Sequence, residues 1–353
     1  MADAALPVDP RADVRAEGGW GLLLAALVAF LFLPSLFAVV VPVTEPHRLL
    51  LPALAALMVV GWLAGGSLAL ALAWAAVAVT AVLWPASAGT FDTLQRAWSV
   101  LLAGAFGLVI AVSKPSRAFV GRGVAAAAAA MSLVVGLALV TTGGPGLIDG
   151  TLRQEYADRI TVPATVWEKY LQSPEWARQV EQSPALGEAG ASFLEQLRTL
   201  PAIAASYATV APAMLVLQSL VALALAWALY HRTSSVPLGP PLASLRDFRF
   251  SDQLVWGLVV GFALVVVPEA PRSRLFGANV LVFFGALYAL RGLGVLWWFL
   301  KPGRAMTVLL VLVTIVAFPV AVPAVLSLVL GLGVIDTWLD WRTRARVTPQ
   351  SSE

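Results

Sequence analysis

Long apolar runs separated by short polar punctuation dominate the chain, and a membrane-crossing helix needs about 20 such residues. The runs predict spans near 20–42, 49–64, 67–85, 97–113, 119–142, 202–230, 253–268, 276–299, 305–319 and 321–340. The second and third share one run punctuated only by Gly65 and Gly66, and the ninth and tenth share one broken by Pro319 and Pro323. Each pair reads either as two tight hairpin spans or as one long tilted helix with a re-entrant piece. The expected fold is therefore all-α: a polytopic transmembrane helix bundle of about ten spans (eight to ten) with a small external helical insertion. The first run, from Gly19 to Val43, is longer than a signal-peptide core and reads as an uncleaved first span.

One long hydrophilic stretch interrupts the pattern. Residues 141–201 open with TTGGPG and continue through LRQEYADRI, TVWEKYL, PEWARQVEQ and ASFLEQLRTL. Pro163, Pro174, Pro184 and Pro201 are expected to cut these into short helices. Val162, Val166, Tyr170, Phe193, Leu194 and Leu197 give the pieces a greasy face, suited to a cap on the outer membrane surface or to a lid. The organisation is then an alanine-rich membrane bundle over 1–140, an extracytoplasmic insertion over 141–201, a second bundle over 202–345 and a disordered tail over 346–353.

Charge adds orientation. Placing the N-terminus in the cytosol puts thirteen Lys and Arg on inside segments (Arg11, Arg15, Lys114, Arg117, Arg122, Arg232, Arg246, Arg249, Lys301, Arg304, Arg342, Arg344 and Arg346). The short outside loops hold four: Arg48, Arg96, Arg272 and Arg274. The positive-inside rule then predicts both termini on the cytoplasmic side of the cell (inner or plasma) membrane. Composition agrees: 59% of residues are hydrophobic and 12% charged, with a mean hydropathy of +0.85. A soluble protein carries about twice that charged fraction. The pI near 9.5 reflects arginine and topology rather than nucleic-acid binding.

Catalytic chemistry finds little support. The sequence has no cysteine, GxSxG elbow, HExxH or P-loop. His47 and His231 stand alone beside predicted helix ends, so no metal or cofactor is expected. Asp336 and Asp340, four apart, evoke an intramembrane aspartyl pair, but two aspartates near the wet end of one helix read better as interfacial. The expectation is a non-enzyme.

Ionisable groups inside spans are costly and draw attention. Arg291, within the eighth span, either snorkels to cytosolic headgroups or pairs with Asp336 at similar depth in the last span. Asp340 is placed to pair with Arg344. Ser251 or Asp252 is expected to cap the seventh span. LASLRDFRF, just before it, is expected to lie in the interface with arginines toward headgroups. Tyr207, Gln218, Asn279 and Tyr288 are candidates to line one cavity among the sixth to tenth spans. The six alanines at 125–130 read as a close-packing face or as composition alone.

Three pieces in order, LASLRDFRFSDQLVWGLVV, ANVLVFFGALYALRGLGVLWWFL and LGLGVIDTWLDWRTR, follow a leucine-ended sixth span. Over about Ala202–Arg346 the chain resembles the YybS-like family of predicted bacterial membrane proteins of unknown function. The family-pattern positions are Asp252, Trp256, Asn279, Tyr288, Gly292, Asp336, Asp340 and Arg342, while Arg291 stands where the family tends to carry glutamine. The resemblance extends remotely to substrate-binding subunits of energy-coupling-factor transporters. It implies a transporter-like, small-molecule-binding membrane subunit, with a membrane or cytosolic protein partner. The competing expectation is a membrane scaffold, assembly factor or accessory subunit.

Overall fold

A computed structural model of the chain describes residues 19–84, 89–140, 144–267, 271–300, 303 and 318–342. Every regular element among them is helical. The chain divides into two compact units, 1–240 and 241–353.

In the first unit the helices are α1 (Gly19–Leu36), α2 (His47–Leu63), α3 (Leu68–Leu83), α4 (Thr90–Val112), α5 (Phe119–Val140), α6 (Gly144–Leu171), α7 (Pro174–Gln182) and α8 (Pro184–Thr233). α2 is the centre, packed against α3, α4 and α8. It buries Leu49, Leu50, Ala53, Leu54, Leu57 and Met58. α4 supplies Trp98, Leu102, Phe106 and Ile110, one residue per turn. Phe106, Phe119 and Trp227 close the far end, their ring centroids 5.9–6.5 Å apart. Of the six alanines in α5, Ala126, Ala127 and Ala130 are buried and Ala125 and Ala128 exposed, so the run packs along one face only.

Between α2 and α3 the chain reverses. Gly65 has φ +99°, its N–H donates to the Trp62 carbonyl at 2.9 Å, and the Gly66 N–H donates to the Gly61 carbonyl at 2.9 Å. This is a Schellman ending, with glycine at the one position that needs a left-handed backbone. Ser67 then caps α3 through its side chain. The shared run is therefore two helices.

The insertion differs from expectation. Pro174 and Pro184 do begin helices, but Pro163 lies inside the 28-residue α6 and Pro201 inside the 50-residue α8. An interior proline removes one backbone hydrogen bond and bends a helix, yet the helix continues where packing holds both sides. For α6 that packing comes from Tyr156 and Ile160, buried with Ala208 and Ala211 of α8. The predicted greasy face is not the buried one, because Val162 and Val166 are exposed. Tyr170 and Phe193 instead pack edge-on around Trp167, with Trp176 against Tyr170. The side chain of Leu197 lies outside the described residues.

The second unit begins with two single 3-10 turns, Leu245–Asp247 and Asp252–Leu254. It continues with α9 (Val255–Val266), α10 (Pro271–Leu300) and α11 (Phe318–Leu339). α10 lies between the other two. Residues 305–317 of the predicted ninth span lie outside the described residues, as do Arg11, Arg15, Lys301, Arg304, Arg344, Arg346 and the tail. Pro319 falls in the first turn of α11, where a missing N–H costs nothing.

Among the described residues, five helices are long and apolar enough to cross a membrane: Gly19–Leu36, Thr90–Val112, Phe119–Val140, Ala205–Thr233 and Arg272–Leu300. Shorter apolar helices occupy His47–Leu63, Leu68–Leu83, Asp252–Val266 and Ala324–Leu339.

Candidate functional site

Arg291 is the hub of the second unit. It is 3% exposed, so it does not snorkel to open surface. Its Nε donates to Asp336 Oδ2 at 3.0 Å, its Nη2 to the Asp336 carbonyl at 3.2 Å and its Nη1 to Asp252 Oδ1 at 2.7 Å. The guanidinium also sits over the Phe250 ring, 5.5 Å from the centroid. Asp336 is fully buried, and its Oδ2 accepts a second guanidinium, Arg342 Nη2, at 2.7 Å. Arg342 Nη1 in turn donates to the carbonyls of Arg246 and Phe248 at 2.8 and 3.2 Å. One carboxylate thus joins α10, the end of α11 and the 245–252 segment.

Several expectations need correction. Asp252 does not cap α9, whose cap position is Leu254 without a side-chain bond, and Ser251 makes no capping bond either. The Asp252 carboxylate is drawn to Arg291 because a buried guanidinium attracts it more strongly than a helix terminus already sheltered by a 3-10 turn. Asp340 does not continue the helix face of Asp336. α11 ends at Leu339 and Asp340 has φ 40°, the left-handed conformation that aspartate tolerates at a helix end. Its carboxylate pairs with Arg249 Nη2 at 2.8 Å. The LASLRDFRF segment is not simply laid on the interface. The Phe250 ring packs edge-on to Tyr288 at 5.0 Å, and the segment's carbonyls hold Arg342.

Close backbone approach makes this geometry possible. A Cβ on Gly292 would lie 1.8 Å from the Val329 carbonyl oxygen, and one on Gly333 1.9 Å from that of Tyr288. A Cβ on Gly294 would lie 2.4 Å from the Leu245 carbonyl oxygen. Small residues let helix backbones meet in this way.

The four candidate cavity residues have separate uses. Tyr288 is fully buried. The Asn279 amide donates to Leu275 of its own helix at 2.9 Å. In the first unit, Tyr207 packs against the Tyr156 cluster. Gln218 forms a two-way clamp on Val43, accepting from its N–H at 3.0 Å and donating to its carbonyl at 2.7 Å. Trp256 is an exposed residue of α9.

The Gln218 clamp belongs to a second polar constellation that sequence reasoning missed. Between α1 and α2 the chain is not regular helix, and its carbonyls are met by side chains. Arg159 Nη1 donates to Ala38 and Val41 at 2.8 Å, and its Nη2 to Pro42 at 3.1 Å. Gln95 Nε2 donates to Pro42 at 3.0 Å and the Tyr156 hydroxyl to Val40 at 3.3 Å. Burial pushes that Tyr156 hydroxyl up to about 12. Beside it, Arg48 pairs with Glu45 at 2.7 Å and with Asp92, which also binds Arg96 at 2.6 Å. At the far end Arg122, 2% exposed, donates to the carbonyls of Lys114, Pro115 and Leu238 at 2.6–3.0 Å. The topology count absorbed Arg48 and Arg122 as loop charges, and Arg159 lay in the polar insertion outside that count. Irregular backbone buried with protein must have its polar groups satisfied, and one long, many-donor guanidinium can meet several carbonyls at once. Arg159→Ala removes three such bonds. It is expected to cost about 1–3 kcal/mol and to hasten limited proteolysis within 144–200, read by gel and mass spectrometry. An unchanged cleavage rate would refute the clamp.

Among the described residues no three His, Cys, Asp or Glu side chains form a metal cluster. No curated protein and no solved structure matches the chain. A family model described as a predicted membrane protein matches residues 26–337, well beyond the C-terminal stretch that carried the motif resemblance. With its apolar helices and internally held charges, the chain belongs to this family, the predicted membrane proteins of DUF2232.

Proposed function

We propose that this protein is a non-catalytic membrane scaffold or accessory subunit with about ten spans and both termini in the cytoplasm. One observation carries the reading. The buried charges of the second unit are neutralised inside the chain, Arg291 and Arg342 converging on Asp336. A transport or catalytic site keeps polar groups available for its ligand. Here the Gln218 amide is occupied by Val43 and the Asn279 amide by its own helix.

The test is co-purification of the tagged full chain in mild detergent, with proteins and small molecules identified by mass spectrometry. The scaffold reading expects a stoichiometric membrane or cytosolic protein partner. A small molecule other than a membrane lipid retained at one per chain, with no protein partner, would overturn it.

Topology is tested independently, and the absence of cysteine makes labelling clean. Ser235→Cys and Glu181→Cys sit at exposed positions, the first after α8 and the second at the end of α7. A membrane-impermeant maleimide is expected to label the position 181 variant in right-side-out vesicles and the position 235 variant only in inverted ones. The opposite pattern would reverse the orientation.

A further inference from the structure

From a cleft beside the Arg291 hub, we propose that the second unit holds the headgroup of a zwitterionic aminophospholipid such as phosphatidylethanolamine. The cleft, of about 310 Å³, lies between the start of α9 and the end of α11. Asp252, Gln253, Trp256, Thr337 and Trp338 line it, with valines of α9 beyond them. These ends are level with each other, because Asp252 and Asp336 both bind Arg291.

The lining selects the ligand chemistry. The Asp252 side chain is tied to Arg291 through Oδ1 yet remains 63% exposed, so it offers a carboxylate to an incoming cation. Trp256 and Trp338 are 65% and 64% exposed at the same cleft, far more than core packing would leave them. An indole face attracts an ammonium through its quadrupole, and a carboxylate adds charge and acceptors for its N–H groups. Arg246, on the segment leading to Asp252, is an exposed cation suited to a phosphodiester, whereas Arg249 beside it is held by Asp340. A headgroup carrying both an ammonium and a phosphate matches both signs. The occupant is a lipid rather than a soluble amine, because the cleft continues into exposed apolar surface at Val259 and Val260. Tryptophans also favour the headgroup level of a bilayer.

The probe is the full chain in nanodiscs of phosphatidylethanolamine, phosphatidylcholine or phosphatidylglycerol, with retained lipid counted by native mass spectrometry after mixed-lipid reconstitution. Retention is expected to follow ethanolamine over choline over glycerol headgroups, since only the first offers N–H donors to Asp252. Trp338→Ala is expected to lower the ethanolamine-to-glycerol retention ratio about threefold. Asp252→Asn should lower it further, with the unfolding midpoint recorded alongside. Because Trp338 projects outward, its loss reports on the cleft even if the Asp252 variant loosens the hub. Equal retention of the three lipids, a preference for phosphatidylglycerol, or an unchanged ratio in Trp338→Ala would each overturn the proposal.

Discussion

Adding a single methyl group at Gly292 or Gly333 is expected to cost about 3 kcal/mol and to separate α10 from α11. The obstruction in each case is a backbone carbonyl oxygen under 2 Å from the new Cβ, that of Val329 or of Tyr288. A flexible side chain in that place would swing aside. A helical carbonyl is fixed by the neighbouring turns, so the helices themselves must part. The two contacts are reciprocal: 288 and 292 on α10 face 329 and 333 on α11, each pair one turn apart. Parting them at one glycine therefore loosens the other and lengthens the Arg291–Asp336 bond. The same structure supplies controls. A Cβ on Gly285 in α10 or on Gly331 in α11 meets nothing within 4 Å. Gly285→Ala and Gly331→Ala are expected to hold or slightly raise the thermal midpoint in detergent, since alanine is the better helix former. If Gly292→Ala and Gly333→Ala melt with those controls, the close approach is wrong.

These glycines show what a sequence reveals and what it conceals. Periodicity and length were enough for an all-helical chain with an insertion near its middle, because apolar runs and prolines are local signals. The Arg291–Asp336 contact was legible as one of two alternatives because a charge inside a span has few suitable partners. The contacts of the four side chains grouped as one cavity were not legible, because helix phase does not say which partner a tyrosine or glutamine meets. Gln218 illustrates it: the partner is a backbone segment 175 residues away. Prolines misled at 163 and 201, and at 163 tertiary packing outweighed a local breaker. Arg122 and Arg159 were hidden for a different reason. Their partners are mostly backbone carbonyls of irregular segments, which leave no side-chain signature in the sequence.

Removing the Asp336 carboxylate is the other large effect to expect. Asp336→Asn leaves Arg291 and Arg342 facing a neutral amide in a fully buried position. Stripping one partner from a buried ion pair costs about 3–5 kcal/mol because the remaining charge stays desolvated. Asp252→Asn is expected to cost no more than about 1 kcal/mol, since that side of the hub is open to solvent. The contrast between two aspartates on one arginine separates a clamp from a generic charge effect. Arg291→Gln alone strands the Asp336 negative charge against Arg342, which is held by two carbonyls as well and so partly neutralises it. A milder loss than that of Asp336→Asn follows. Combining Arg291→Gln with Asp336→Asn replaces the ionic bond by an amide pair and leaves only Arg342 uncompensated. The double variant is expected to be more stable than the sum of the single losses predicts, by about 1–3 kcal/mol. Thermal unfolding of the four proteins closes the cycle. Additive losses would mean that Arg291 and Asp336 act independently, and the hub would then be an accident of packing rather than the joint that fixes α10 to α11.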